Sequence, residues 1–260
     1  MGLTEQQKSF FKDQGYLVVE DVFAPNEVAR LQRACDELAA KAQGLSASTD
    51  RFKLSVFKDS GKIVQQIGDP HEMSGIWLDL VKDPRLLDMV EELVGPNIQL
   101  YYSQLMMKAP RQGFTAPWHQ DFAFFPHNRS NILACTVAID EATEENGCIR
   151  VIPGSHKLGL LNHYDEDGVF TGIVRDERGF DPRTEVALPA KAGSVLFWHA
   201  LTLHSSHPNR SEKPRRALVI EYKNPADRLL AGSFNGRAEA RNVGYIVRGR
   251  DPSHDLVAPL

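Results

Sequence analysis

Apolar and polar positions along this chain follow two different rhythms. Between residues 24 and 41, Val28, Leu31, Cys35 and Leu38 recur at spacings of three and four, the period of a helix that lays one face on a sheet. Pro25 near its start suits a first helical turn. A short helix after Thr4, closed by Gly15, is predicted to precede a strand over residues 16–20, and residues 83–95 read as another helix ending at glycine. Residues 44–52 read as loop. The first third, about 1–95, is therefore expected to be mostly helical.

From Ile98 onward the rhythm changes to short β-branched and aromatic runs between turn signals, at residues 98–108, 131–139, 148–152, 194–198 and 216–222. Regular helices do not separate these runs, which favours a sandwich or jelly roll over a doubly wound parallel sheet. The expected fold is mostly β with flanking helices. A jelly-roll core over about 96–224 is buttressed by the N-terminal helices and followed by a tail over 225–260, all in one domain. The polar stretch 157–185 is the longest excursion between strands and is expected to act as a lid.

Composition narrows the partners. Thirty basic against 34 acidic residues give a net charge of −4, so no global positive field exists to hold nucleic acid or anionic lipid. Charged residues stand where a secretory signal needs its apolar region, and no apolar run is long enough to span a bilayer. A cytoplasmic protein with a small-molecule substrate is expected. Cys35, Cys135 and Cys148 are odd in number and lack CxxC spacing, which reads as buried thiols rather than disulfides or a zinc knuckle.

The chemistry concentrates in two places. In Pro117-Trp-His119-Gln-Asp121 the imidazole and the carboxylate lie two residues apart, hence on one face of an extended segment, with Gln120 turned away. A second imidazole follows in the segment 199–207, where spacing alone does not choose among His199, His204 and His207. Two imidazoles and one carboxylate make the facial set of non-heme Fe(II) oxygenases. Arg215-Arg216 then offers a bidentate partner for a buried carboxylate. Leu218, Ile220 and Tyr222 share a strand face with Arg216; if that bulky face packs on the helices, Arg215 turns inward.

Together, His119-Gln-Asp121, Glu145-Asn-Gly-Cys-Ile-Arg-Val-Ile-Pro-Gly-Ser-His156, Gly193-Ser-Val-Leu-Phe197, His204-Ser-Ser-His-Pro-Asn209 and Pro214-Arg-Arg216 resemble the phytanoyl-CoA dioxygenase family of Fe(II)/2-oxoglutarate oxygenases, over about residues 15–222. The resemblance implies a double-stranded β-helix, a cupin-like jelly-roll barrel. It places His119, Asp121 and His204 on the iron-ligand positions and Arg215 on the arginine that binds the co-substrate 2-oxoglutarate. It places Ser206 beside that carboxylate, and Gln104 and Thr136 on neighbouring strands where the family contacts 2-oxoglutarate. Asn146-Gly147 and Pro153-Gly154 read as turns, and His156 as a packing residue. Of the aromatic residues Trp118, Phe122, Phe124 and Phe125, most are expected in the core and one or two at the substrate pocket.

The implied reaction uses O2 and couples decarboxylation of 2-oxoglutarate, giving succinate and CO2, to hydroxylation of an unactivated C–H bond. Desaturation, epoxidation and ring formation belong to the same chemistry. Asp121 argues against halogenation, since related halogenases carry a small residue there. A non-catalytic jelly-roll binding module and an isomerase or hydrolase with another divalent metal are the rival readings. A coenzyme A substrate is disfavoured, because Arg175, Arg178 and Arg183 are the only candidate phosphate partners and read as a solvated loop.

Overall fold

The structure is a computed structural model that describes residues 2–57, 61–112, 114–174, 179–230 and 245–251. Two antiparallel sheets stack against each other, with four helices on the outer side of the larger one.

The helices begin and end where local chemistry dictates. α1 (Glu5–Gln14) starts with a capping box between Thr4 and Gln7 and stops at Gly15, whose φ of 80° suits the left-handed terminus. α2 (Pro25–Ala42) buries Val28, Leu31, Cys35 and Leu38. α3 is Gly75–Val81. α4 (Pro84–Val94) is capped by the Asp83 side chain and buries Leu86, Leu87, Met89 and Val90. Arg85 ties α4 to α2 by reaching both Asp83 and Glu27.

The larger sheet contains β1 (Tyr16–Val19), β2 (Phe52–Phe57), β3 (Gly61–Gly68), β4 (Ile98–Lys108), β6 (Ile132–Ala138), β9 (Val195–His199) and β11 (Arg215–Lys223), in the order β1-β9-β6-β11-β4-β3-β2. β12 (Ile246–Arg248) pairs with the start of β4. The smaller sheet runs β5-β10-β7-β8, from β5 (Ala116–His119), β7 (Ile149–Val151), β8 (Val186–Leu188) and β10 (His204–Ser206). The two sheets form the jelly roll without closing into one hydrogen-bonded ring. No helix among the described residues is long and apolar enough to cross a membrane.

One expectation is incomplete: besides its helices, the first third adds a hairpin to the larger sheet. Residues 52–68 form the hairpin β2–β3, which extends the larger sheet beyond β4. Lys53, Ser55, Lys62, Gln65 and Gln66 dilute the apolar alternation there, because this hairpin lies at the sheet edge and is largely uncovered on one side.

Alternation within the larger sheet creates both the core and a cavity. Leu105, Leu133, Cys135, Val137, Val195, Phe197, Leu218, Ile220 and Tyr222 face the helices in one cluster with Leu31, Trp77 and Leu86. On the inner face Ala134 and Ala138 pack in a second cluster with Val151, Leu188 and Trp198, while Thr136, Ala217 and Val219 line open space between the sheets. The three cysteines are free and buried, as the sequence predicts.

Candidate active site

A cavity of about 900 Å³ lies between the sheets, lined from the smaller one by His119, Ile149 and His204 and from the larger one by Gln104, Thr136, Trp198, Arg215 and Glu221. Backbone register builds its reactive corner. His119 ends β5 and His204 begins β10, and the two are direct antiparallel partners. Gln120 keeps an extended backbone, so Asp121 returns to the face that His119 occupies.

The donor atoms of His119, Asp121 and His204 all lie within 4.8 Å of one another. Asp121 Oδ1 stands 3.7 Å from His119 Nε2 and 3.5 Å from His204 Nε2. His119 Nδ1 lies 2.7 Å from the Pro117 carbonyl and His204 Nδ1 lies 3.1 Å from the Thr202 carbonyl. Each Nδ1–H therefore donates to backbone, and each Nε2 lone pair faces the carboxylate corner, the tautomer a metal requires. Burial, followed by the neighbouring His204, lowers the His119 pKa to about 4, which keeps this imidazole neutral. The Trp198 indole donates to Asp121 Oδ2 at 2.8 Å, fixing the carboxylate with Oδ1 toward the imidazoles. Two imidazoles that present Nε2 and one oriented carboxylate fit Fe(II) by donor chemistry.

The competing histidines are occupied elsewhere. His199 Nδ1 accepts from the Leu201 amide, its ring packed beside His156 on the far side of the sheet. His207 is exposed. His163 Nε2 accepts the amide of Gln120. Gln120 is itself fully buried and holds the Gly159 and Leu201 carbonyls, so it braces the turn between the two ligand positions.

The opposite end of the cavity is cationic. Arg215 is buried, and its Nε and Nη2 donate to the Gly147 carbonyl at 3.2 and 2.6 Å. Burial pushes its pKa down to about 10, still well above neutrality. Arg216 faces the helices instead, paired with Asp140 at 2.7 Å and Asp36 at 2.6 Å. Ser206 Oγ accepts from Lys108 Nζ at 2.8 Å, and Lys108 also donates to the His207 carbonyl. Lys108 and Arg215 are cross-strand partners. Burial, followed by the Arg215 charge, lowers the Lys108 pKa to about 7.

Gln104 and Thr136 line the cavity between these ends. Gln104 Oε1 accepts the Tyr102 hydroxyl at 2.6 Å, while Thr136 Oγ1 is buried without a hydrogen-bond partner. Phe124 and Phe125 face the cavity, whereas Trp118 and Phe122 pack into separate apolar clusters. From the 157–185 stretch, Thr171, Gly172 and Ile173 contribute wall. Leu161, Val174 and Phe180 pack on Trp118 and Leu203. Arg183 pairs with Asp181 at the surface; Arg175 and Arg178 lie outside the described residues.

Asn146-Gly147 is more than a turn. The Gly147 φ of 80° and a Cβ position only 2.2 Å from the His207 carbonyl oxygen demand glycine, and its own carbonyl is the one Arg215 holds. Sequence reasoning passes over Lys108, Trp198 and Glu221. Register would have found Lys108 and Glu221, since each shares the inner parity of a strand that already carries a candidate residue, Gln104 on β4 and Arg215 on β11; Trp198 has the parity opposite to that of His199 on β9.

A sequence profile of the phytanoyl-CoA dioxygenase family (PhyH) matches residues 11–217. The chain is 31% identical over 225 residues to the probable alpha-ketoglutarate-dependent hypophosphite dioxygenase of Stutzerimonas stutzeri, covering 84% of this chain and 77% of that protein. It is 28% identical over 243 residues to the ectoine dioxygenase of Sphingopyxis alaskensis, covering 87% and 78%. The crystal structure of EctD from S. alaskensis with bound Fe superposes with a TM-score of 0.75 at 28% identity, over 95% of this chain and 87% of that one.

Proposed function

This chain belongs to the phytanoyl-CoA dioxygenase family, and on that premise we propose how its residues divide the work of an Fe(II)/2-oxoglutarate-dependent dioxygenase. His119, Asp121 and His204 hold the iron. The observation that carries this assignment is the paired register of the two histidines, with both Nε2 atoms facing Asp121 Oδ1 and both Nδ1 atoms tied to carbonyls.

When bound, Fe(II) supplies O2 activation, driven by oxidative decarboxylation of 2-oxoglutarate to succinate and CO2 and coupled to hydroxylation of a small molecule. The chain's own residues bind, orient and shield. Arg215 and Lys108 neutralise the distal carboxylate of 2-oxoglutarate, and Ser206 adds a hydroxyl beside them. Gln104 and Thr136 line the stretch between that carboxylate and the metal corner, where the unpartnered Thr136 hydroxyl is free to bond the co-substrate. Trp198 holds Asp121 in orientation. Phe124, Phe125 and Ile173 keep water from the substrate end. The reading treats the chain as one oxygenase domain, and its three free buried cysteines fit a reducing compartment such as the cytoplasm.

Purified protein supplied with Fe(II), O2 and 2-oxoglutarate should release succinate, and the Asp121→Ala, His119→Ala and His204→Ala variants should lose both bound iron and that release. Retention of iron and turnover by His204→Ala, with their loss in His199→Ala, would reject the ligand set.

A further inference from the structure

The inner face of the larger sheet is arranged in layers across its strands. Lys108 and Arg215 are paired at one end. Val219 then pairs with Gln104 and with Thr136, and Glu221 pairs with Tyr102 and with Ala134, which in turn pairs with Trp198. From Arg215 to Glu221 is six residues along one strand, roughly 20 Å. 2-Oxoglutarate, a five-carbon diacid anchored at Arg215, is far too short to reach Glu221.

Glu221 is 2% exposed yet lines the cavity. Its Oε2 is buried without a hydrogen-bond partner. Burial, followed by the like charge of the Asp121 carboxylate, pushes its pKa well above the ordinary carboxylate value. The cations stand apart from this layer: Arg215 lies at the far end with Lys108 behind Ser206, Arg51 at the rim pairs with Glu72 at 2.5 Å, and Lys53 is exposed on the edge strand β2. A buried carboxylate with no countercharge is expensive unless a ligand supplies one. Around this layer the walls are aromatic, with Tyr102, Phe124, Phe125 and Trp198 facing the cavity, and ring faces attract cations.

We infer that Glu221 is a specificity-determining residue that pairs with a cationic nitrogen of the primary substrate, so that this oxygenase acts on a small organic amine. The inference rests on the oxygenase reading and deepens it. The two ends of the cavity then sort two ligands by charge: the dianionic co-substrate goes to Arg215 and Lys108, and the amine goes to Glu221, beside Asp121 and the reactive corner. Placement follows as well, because an ammonium held by Glu221 sets which carbon of the substrate faces the metal corner.

The test uses three probes of matched shape, cyclohexylamine, cyclohexanol and cyclohexanecarboxylate, titrated by calorimetry into the full chain with Fe(II) and 2-oxoglutarate in the absence of oxygen. The amine should bind about tenfold or more tighter than the alcohol, as expected for a charge-assisted hydrogen bond. The carboxylate should bind more weakly than either. In Glu221→Gln, which keeps the side-chain shape, the preference for amine over alcohol should fall to about threefold or less. The alcohol or carboxylate binding wild type as tightly as the amine would overturn the proposal. So would failure of the amine to bind at millimolar concentration, or an undiminished preference in Glu221→Gln. The wild-type comparison decides even if that variant does not fold. Succinate release by wild type with Fe(II) and 2-oxoglutarate, absent in Asp121→Ala, tests the oxygenase reading separately. Its loss would leave the calorimetric result standing.

Discussion

The two faces of β11 carry the same chemistry to opposite ends. Arg215 and Arg216 are neighbours in sequence, yet Arg216 turns toward the helices, where Asp140 and Asp36 neutralise it, and Arg215 turns into the cavity, where only the carbonyl of Gly147 receives it. Burial works against the charge of Arg216, but the hydrogen bonds and charge of Asp140 hold its pKa above the ordinary value. Burial pushes Arg215 down. The same split runs through the whole strand: Leu218, Ile220 and Tyr222 join the main core, while Ala217, Val219 and Glu221 line open space. Charge satisfied within the protein belongs to the scaffold, and charge held ready without a carboxylate partner belongs to the site.

The largest expected effect contrasts two carboxylates on the two sides of the sheet. Asp121→Ala should abolish succinate release and iron binding, because it removes a ligand and leaves two imidazoles to hold the ion. Asp140→Ala should lower stability while turnover survives at a temperature where the variant stays folded. Iron content, succinate release and thermal melts on the two variants settle the matter; loss of activity in folded Asp140→Ala equal to that of Asp121→Ala would break the division between faces.

The adjacent arginines come next. Truncating one partner of a buried charge pair costs roughly 2–5 kcal/mol, so Arg215→Ala should raise the KM for 2-oxoglutarate by about 30- to 5,000-fold with little change in melting temperature. Arg216→Ala should leave that KM within about twofold and cost about 3 kcal/mol of stability, since it strands the buried Asp140. Reversed outcomes would mean that parity has been assigned the wrong way round.

That parity was legible in the sequence, because Leu218, Ile220 and Tyr222 are large and their neighbours small. The first ligand pair was equally legible, because His119-Gln-Asp121 is a local pattern, although the strands β5 and β10 that carry the two histidines are only four and three residues long and carry little apolar signal. The choice of His204 over His199 and His207 was not legible from spacing; it rested on the family resemblance. In three dimensions it follows from the β5–β10 register and from which ring nitrogens already hold backbone partners. Lys108 and Glu221 were missed for a related reason. Each is a single charged residue in a strand, and what distinguishes it from a surface residue is the partner across the ladder, information held in pairing rather than in any window of sequence. The β2–β3 hairpin escaped because its polar alternation belongs to a sheet edge with little apolar signal.

A smaller effect separates adjacent residues of β9. Trp198 faces the cavity and holds Asp121 Oδ2, while Phe197 faces the helical core. Trp198→Phe should weaken Fe(II) affinity by about 10- to 100-fold, the usual loss when a group that orients a metal ligand is removed, with saturating Fe(II) restoring most of the turnover. Phe197→Leu should cost stability and leave Fe(II) affinity unchanged. Metal titrations of both variants, read beside their melting curves, sharpen the contrast or remove it.

The smallest effect lies at Lys108, and it is visible mainly through pH. The Lys108 pKa of about 7 in the free protein means that the cavity's cationic end carries two positive charges below neutrality and one above it. A bound 2-oxoglutarate carboxylate stabilises the charged form and raises the Lys108 pKa in the complex. Proton uptake is therefore linked to binding above pH 7: apparent affinity should be flat below that value and fall by up to about tenfold per pH unit above it, until the pKa of the complex is reached. Arg215, at about 10, stays charged throughout and preserves most of the affinity, which is why Lys108 matters less. Lys108→Met should bind 2-oxoglutarate about tenfold more weakly at pH 6.5 and show no slope between about pH 6.5 and 8.5. Calorimetric titration of 2-oxoglutarate across that range, with wild type and variant side by side, reads the effect directly. A flat wild-type profile, or an unchanged slope in Lys108→Met, would assign the proton to another group and leave Arg215 as the sole anchor of the cationic end.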